Sequence, residues 1–163
     1  MKKFKLTSEF IVDISGVKLF RIKALIEFGN VKAGDLGGYI EKEENLSHMG
    51  DAWVSGDARI SGDAQVSGDA WVFGDAQVFG DALVSGDARV SGDKDYAYAH
   101  GFGSCNRTTT FFRLKDGDVG VRCGCFYGTL AQFRDKVCET HGETKKAQEY
   151  LMLADLMEIR FKN

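Results

Sequence analysis

Hydrophobic positions recur every sixth residue through the middle of the chain. Val54, Ile60, Val66, Val72, Val78, Val84 and Val90 are each preceded two positions earlier by alanine, within a run at residues 50–91 that reads Gly-Asp-Ala-x-Val-Ser. Ile40 and Leu46 carry the six-residue spacing upstream, but Leu46 to Val54 is eight, which places a two-residue insertion around His48 and Met49. About nine units therefore fill residues 40–93. A strand turns successive side chains to opposite faces. Ala and Val thus share an inner face, x and Ser share an outer one, and Gly-Asp makes the corner. Glycine supplies the unusual backbone angles there, and aspartate is expected to bond the backbone of its own turn. A strict short period of this kind predicts a solenoid.

The flanks lose the period. Residues 10–14 and 17–22 alternate as strands about Ser15-Gly16, a hairpin turn, and residues 34–38 form a glycine-rich turn cluster. This segment is expected to cap the first coil, because an open solenoid end exposes unpaired backbone groups. Downstream, residues 108–114 and 119–126 read as two strands of a hairpin about the turn at 115–118. Thr129 and Gln132 fit a capping box for a helix carrying Leu130, Phe133 and Val137 on one face and ending at Gly142. A second helix over about residues 144–160 repeats Ala147, Tyr150, Leu151, Ala154 and Met157 at helical spacing, with Phe161 beyond. The chain divides into a β cap (1–38), a repeat (39–93) and an α+β module, a hairpin packed by two helices (94–163).

The six-residue unit resembles the signature of hexapeptide-repeat proteins. That resemblance implies a short left-handed parallel β-helix of about three coils, three units to a coil, in a mainly β chain. With three units per coil, outward residues stack. Trp53, Trp71 and Arg89 form one column and Ser55, Phe73 and Ser91 the next, with Phe79 and Leu83 on the other faces. Trp53, Trp71, Phe73, Phe79 and Leu83 are expected to form an oligomer interface, trimeric as is common among hexapeptide-repeat proteins. The whole chain is also similar to a family of bacteriophages and prophages. The shared segments are Arg-Ile-x-Ala-Leu (21–25), Gly-Asp-Leu-Gly-Gly-Tyr (34–39), Glu-x-Asn-Leu-Ser (43–47), Gly-Ser-x-Asn-Arg-Thr-Thr-Thr-Phe (103–111), Cys-Gly-Cys-Phe-x-Gly-Thr (123–129) and Thr-His-Gly (140–142). This likeness implies fold and phage origin and brings no activity with it.

Composition narrows the classes. A net charge of −3 gives no general attraction for nucleic acid or anionic membrane. No apolar run approaches the roughly 20 residues that span a bilayer. Ser8 and Glu9 interrupt any leader after Lys2, Lys3 and Lys5, so a cytoplasmic location is expected, the host cytoplasm for a phage protein. Cys105, Cys123, Cys125 and Cys138 are then expected as reduced thiols.

Three sets of residues can carry chemistry. Cys123, Cys125, Cys138 and His141 offer three sulfurs and an imidazole to zinc, against the plainer reading that the C-x-C pair shares one buried face of a strand. Ser104, Asn106, Arg107, Thr108, Thr110, Arg113 and Arg122 gather hydroxyls and guanidinium groups suited to a phosphate or nucleotide-like anion, with Arg113 facing Arg122 across the hairpin; the alternative is a structured turn. His48 and His100 flank the repeat and are the candidate bases of an acyltransferase-like enzyme. No cofactor is expected. The favoured expectation is a non-catalytic oligomeric binding or scaffold protein of phage type, whose partner is a host defence factor or a phosphate-bearing signalling ligand.

Overall fold

The computed structural model describes residues 2–103 and 107–162. Three strands lead in, β1 (Phe4–Val12), β2 (Lys18–Ala24) and β3 (Leu36–Ile40). Seven two-residue strands follow, one per repeat unit: β4 (Trp53–Val54), β5 (Arg59–Ile60), β6 (Gln65–Val66), β7 (Trp71–Val72), β8 (Gln77–Val78), β9 (Leu83–Val84) and β10 (Arg89–Val90). Every third strand pairs in parallel. Trp53 lies against Trp71 and Trp71 against Arg89, Arg59 against Gln77, and Gln65 against Leu83, each step 18 residues. Backbone N–H groups of every second residue from Trp53 to Phe73 donate to the carbonyl 17 positions ahead. Upstream the pairing step is 20, with Ile40 against Ile60 and Leu46 against Val66, so the two inserted residues fall in the first coil.

The inner face is the alternating Ala/Val set, with residues from Ala52 to Val90 fully buried. At each corner a glycine, from Gly50 to Gly86, holds φ between +63° and +71°. From Ala58 to Ala88 the alanine N–H closes its turn on the carbonyl three residues back, as in Ala58 to Ser55 at 3.3 Å. Where a corner aspartate bonds backbone, it reaches the neighbouring coil rather than its own turn. Asp69 accepts from Asp51 N–H at 3.2 Å and Asp93 from Gln77 N–H at 3.4 Å.

Both ends of the repeat are closed. The β1–β2 hairpin is antiparallel, β2 pairs antiparallel with β3, and β3 runs parallel to β5, giving the order β1-β2-β3-β5-β8. The Lys3 ammonium donates to Ala52 O at 2.6 Å and Gly50 O at 3.3 Å. The Asn45 side-chain amide donates to Ala64 O at 2.8 Å and Gly62 O at 3.1 Å. Each supplies a partner to carbonyls that the first coil leaves open, which burial would otherwise penalise. Phe28 stands edge-on to Trp53 at 5.3 Å, and Trp53 is only 3% exposed. Trp53 is therefore covered by its own N-terminal segment and is not part of an open aromatic face.

The C-terminal module is a four-stranded antiparallel sheet in the order β11 (Tyr96–Phe102), β12 (Arg107–Arg113), β13 (Val119–Cys123), β14 (Phe126–Thr129), followed by α1 (Leu130–His141) and α2 (Lys145–Arg160). The expected hairpin is half of this sheet. Its return strand splits at Gly124, where φ is +59° and Cys123 pairs with Phe126, leaving Gly124-Cys125 as a tight turn. Cys123 and Cys125 thus do not share a strand face. The capping box forms as read, with Thr129 Oγ1 accepting from Gln132 N–H at 3.2 Å and Gln132 Oε1 accepting from Thr129 N–H at 2.9 Å.

Strand β12 is a wall between two cores. Phe112 joins the repeat's interior, and its neighbour Phe111 joins the core made with α1 and α2. The last coil is tied to this module by Leu83 N–H donating to Thr110 Oγ1 at 2.9 Å and Lys115 N–H donating to Asp87 O at 2.9 Å. Among the described residues, no helix is long and apolar enough to cross a membrane.

Candidate functional site

A cavity of about 270 Å³ opens where the sheet of the C-terminal module meets its helices. Helix α1 contributes Phe133, Lys136, Val137, Thr140 and His141, a set spaced to lie on one helix face. Arg107 comes from the start of β12, Cys123 from the end of β13, Cys125 from the tight turn, Phe126 from β14 and Tyr150 from α2. Glycine suits residue 124 through its φ of +59°, and a β-carbon there would also displace the Arg107 guanidinium.

The aromatic floor is interlocked. Phe133 stands edge-on to Tyr150 at 5.6 Å, Phe126 lies 5.8 Å from Phe133, and His141 lies 5.8 Å from Tyr150. Below them the fully buried Thr109 hydroxyl donates to Cys123 Sγ at 3.3 Å, and Tyr150 Oη sits 3.7 Å from the same sulfur. Burial, and next the contact with Cys123, push the Tyr150 phenol up to about 12, so it keeps its proton and remains a donor. Two cationic side chains, Arg107 and Lys136, line the cavity; no carboxylate is among its described lining residues, though Glu139 lies 3.8 Å from the Lys136 ammonium. Aromatic and cationic side chains lining one cavity suit a small anion with an apolar or aromatic body.

The sequence leads are redistributed by this geometry. Of the proposed anion set, Arg107 alone among its described members lines the cavity; Ser104 and Asn106 lie outside the described residues. Thr108 Oγ1 bonds His100 Nδ1 at 2.7 Å, and buried Thr110 serves Leu83 N–H. Arg113 does not face Arg122, because Arg113 pairs with Val119 and Arg122 with Thr110. Arg113 instead bonds Asp95 at 3.1 Å and Phe161 O at 3.2 Å, fastening the end of α2, while Arg122 braces the turn through Gly124 O at 3.0 Å.

The zinc set comes only partly together. Cys123, Cys125 and His141 line the cavity, whereas Cys138 is exposed and does not line it. No group of three His, Cys, Asp or Glu side chains placed to hold a metal ion occurs among the described residues. His48 has both ring nitrogens engaged: Nδ1 accepts from Lys3 N–H at 3.1 Å, which leaves the proton on Nε2 to donate to Glu43 at 3.0 Å. Its ring also stacks on Phe4 at 4.2 Å. His100 stands exposed at the end of the repeat, 3.9 Å from Asp81.

The aromatic positions do not form one surface. Half-buried Trp71 sits in the β4-β7-β10 sheet with the Arg89 guanidinium 5.9 Å from its ring, and Leu83 lies in the β6-β9 sheet. Phe73 and Phe79 occupy the corners on either side of β8, and Phe79 meets Tyr98 edge-on at 6.0 Å.

Lys136 and Thr140 are missed by sequence reasoning, and Phe133 and Tyr150 are read only as helix core. The available signal is Lys136 one turn before Thr140-His141 on the face that Phe133 begins. Segments 103–111, 123–129 and 140–142 each contribute residues at this cavity, so the separate cysteine–histidine and arginine leads converge on one place.

The YdcK beta solenoid repeat model matches residues 52–68, 64–78 and 76–92. The chain is similar to that family across its G-D-A units, and the match ends before the module that holds the cavity. No curated protein matches the chain.

Proposed function

We propose that this protein is a non-catalytic binding protein of phage type, in which a left-handed β-helix carries a C-terminal module that captures a small phosphate-bearing ligand. Capture of a host signalling nucleotide would neutralise the signal without chemistry. One observation carries this reading: Arg107 and Lys136 line the same cavity as Phe126 and Phe133, with no carboxylate among its described lining. Guanidinium and ammonium groups recognise phosphate oxygens, and the aromatic floor accepts a base or another flat body. Calorimetric titration with adenosine monophosphate, a cyclic dinucleotide and inorganic phosphate tests it. Arg107→Ala and Lys136→Ala should each weaken the best ligand by roughly tenfold or more, the scale of one charge-assisted bond. No binding by the wild type, or equal binding by both variants, would reject the reading.

The same proposal takes the chain as a homotrimer packed through the edge that bears Trp71 and Phe73. Its support is the partial exposure of two neighbouring large aromatics, Trp71 with Arg89 alongside. Trp71→Asp should reduce the particle mass measured by light scattering. An unchanged mass with intact secondary structure would remove the trimer from the proposal.

A further inference from the structure

The binding reading uses the cavity's cations and leaves its sulfur unexplained. Cys123 lines the cavity and is half-buried, with the Thr109 hydroxyl donating to Sγ at 3.3 Å from a fully buried position. The Tyr150 hydroxyl lies 3.7 Å from the same atom, and Arg107, Lys136 and His141 line the same cavity. Reactive cysteines are found in partly exposed settings lined by cationic side chains, as this cavity is. Among the described residues the other two cysteines differ: Cys125 lines the same cavity but sits exposed in the turn without the Thr109 contact, and Cys138 is exposed and does not line the cavity.

We propose that Cys123 is a reactive thiol and that the cavity directs it to small disulfides carrying anionic groups. Arg107 and Lys136 hold the anion while the aromatic floor takes the apolar part. The Cys123 thiolate, its proton having passed to solvent, attacks one sulfur of the disulfide. A new S–S bond forms, the original one breaks, and the departing thiolate leaves with the electron pair. Cys123 ends as a mixed disulfide, and the disulfide itself is the oxidant, so no other co-reactant is required. This step rests on the cationic cavity of the binding reading but adds a covalent outcome to it.

The experiment uses the full reduced chain and two probes, dianionic 5,5′-dithiobis(2-nitrobenzoate) and neutral 4,4′-dithiodipyridine. Stopped-flow absorbance gives rates, and peptide mapping after a short quench gives the modified cysteine. With the anionic probe, Cys123 should react at least about tenfold faster than exposed Cys138, as expected for a cysteine in an electropositive setting. The fast phase should vanish in Cys123→Ser. In the Arg107→Gln/Lys136→Gln double variant, the rate ratio of anionic to neutral probe should fall by about tenfold. Fast labelling of Cys125 instead, a Cys123 rate no higher than that of Cys138, or an unchanged probe ratio in the double variant would each overturn the proposal. Calorimetry on Cys123→Ser separates the two readings. Phosphate-ligand binding retained by a chain without the fast phase in its wild-type form sinks the thiol step alone, and a fast phase without phosphate-ligand binding sinks the capture reading alone.

Discussion

Lys3 shows how much one side chain does at the open end of the repeat. Its ammonium is almost fully buried, bonded to Ala52 O and Gly50 O, and 4.6 Å from the Phe28 ring centre. Burial pulls it down from 10.5 to about 8, against the opposing pull of Asp51 and Asp69. Between about 8 and 10.5 the unfolded chain therefore holds a proton that the folded chain has released, and stability rises with pH across that window. The slope for one proton is at most about 1.4 kcal/mol per pH unit. Tyr150, pushed up to about 12, and Tyr96, also raised, act the other way once unfolded tyrosines ionise near 10. Urea unfolding from pH 7.5 to 9.5 should show the wild type gaining stability, and Lys3→Met should flatten the gain while costing about 1–3 kcal/mol for the open carbonyls. A wild type that loses stability over this range contradicts the assignment. In the sequence Lys3 is one of three terminal lysines; nothing local marks it, because its partners lie 47 and 49 residues away.

At the scale of elements, the repeat was legible because each unit carries its own instructions: a corner glycine, a small alanine and a filling valine. The same letters do different work where the period breaks. Gly68 has φ +66°, and a β-carbon there would sit 2.9 Å from Gly86 N, whereas Gly92 is extended at −169° with its nearest neighbour 4.0 Å away. Gly68→Ala should cost about 1–3 kcal/mol, the scale of backbone strain at such a residue, and Gly92→Ala should be near neutral, as thermal melts will show. Equal melting temperatures for the two would mean that the corner is not what glycine serves. Strand β11 was not legible, since Ala97, Ala99 and Gly101 are weak strand formers and their extended state comes from pairing with β12. The cysteine strand was misread for the opposite reason. Alternation continues through residues 119–126, and only the positive φ of Gly124 reveals the turn.

For the whole molecule, the cavity is a product of tertiary assembly. Its cations come from β12 and α1, its sulfurs from β13 and the turn after it, and its phenol from α2, so the sequence showed two unrelated leads where the fold has one site. Strand β12 joins that site to the repeat, with Phe112 inside one core and Phe111 inside the other. Two of the ties from the last coil use backbone groups, Leu83 N–H and Asp87 O, which any unit of the repeat would also present, and the Phe79–Tyr98 contact stays with the last coil when units are added before it. Coil number should therefore be adjustable, and the 18-residue step would make the chain both a ruler and a dial. Adding 18 residues of repeat should carry the cavity about 4.8 Å farther from the β1–β2 hairpin without turning it, one strand spacing. Adding a single unit should swing it by about a third of a revolution with little added length. Spin-label distances between the hairpin and α2 would read both, and a collapsed or aggregated product from the longer insertion would mean that the units are not interchangeable. Related chains with different numbers of units would then keep one cavity and aim it in different directions.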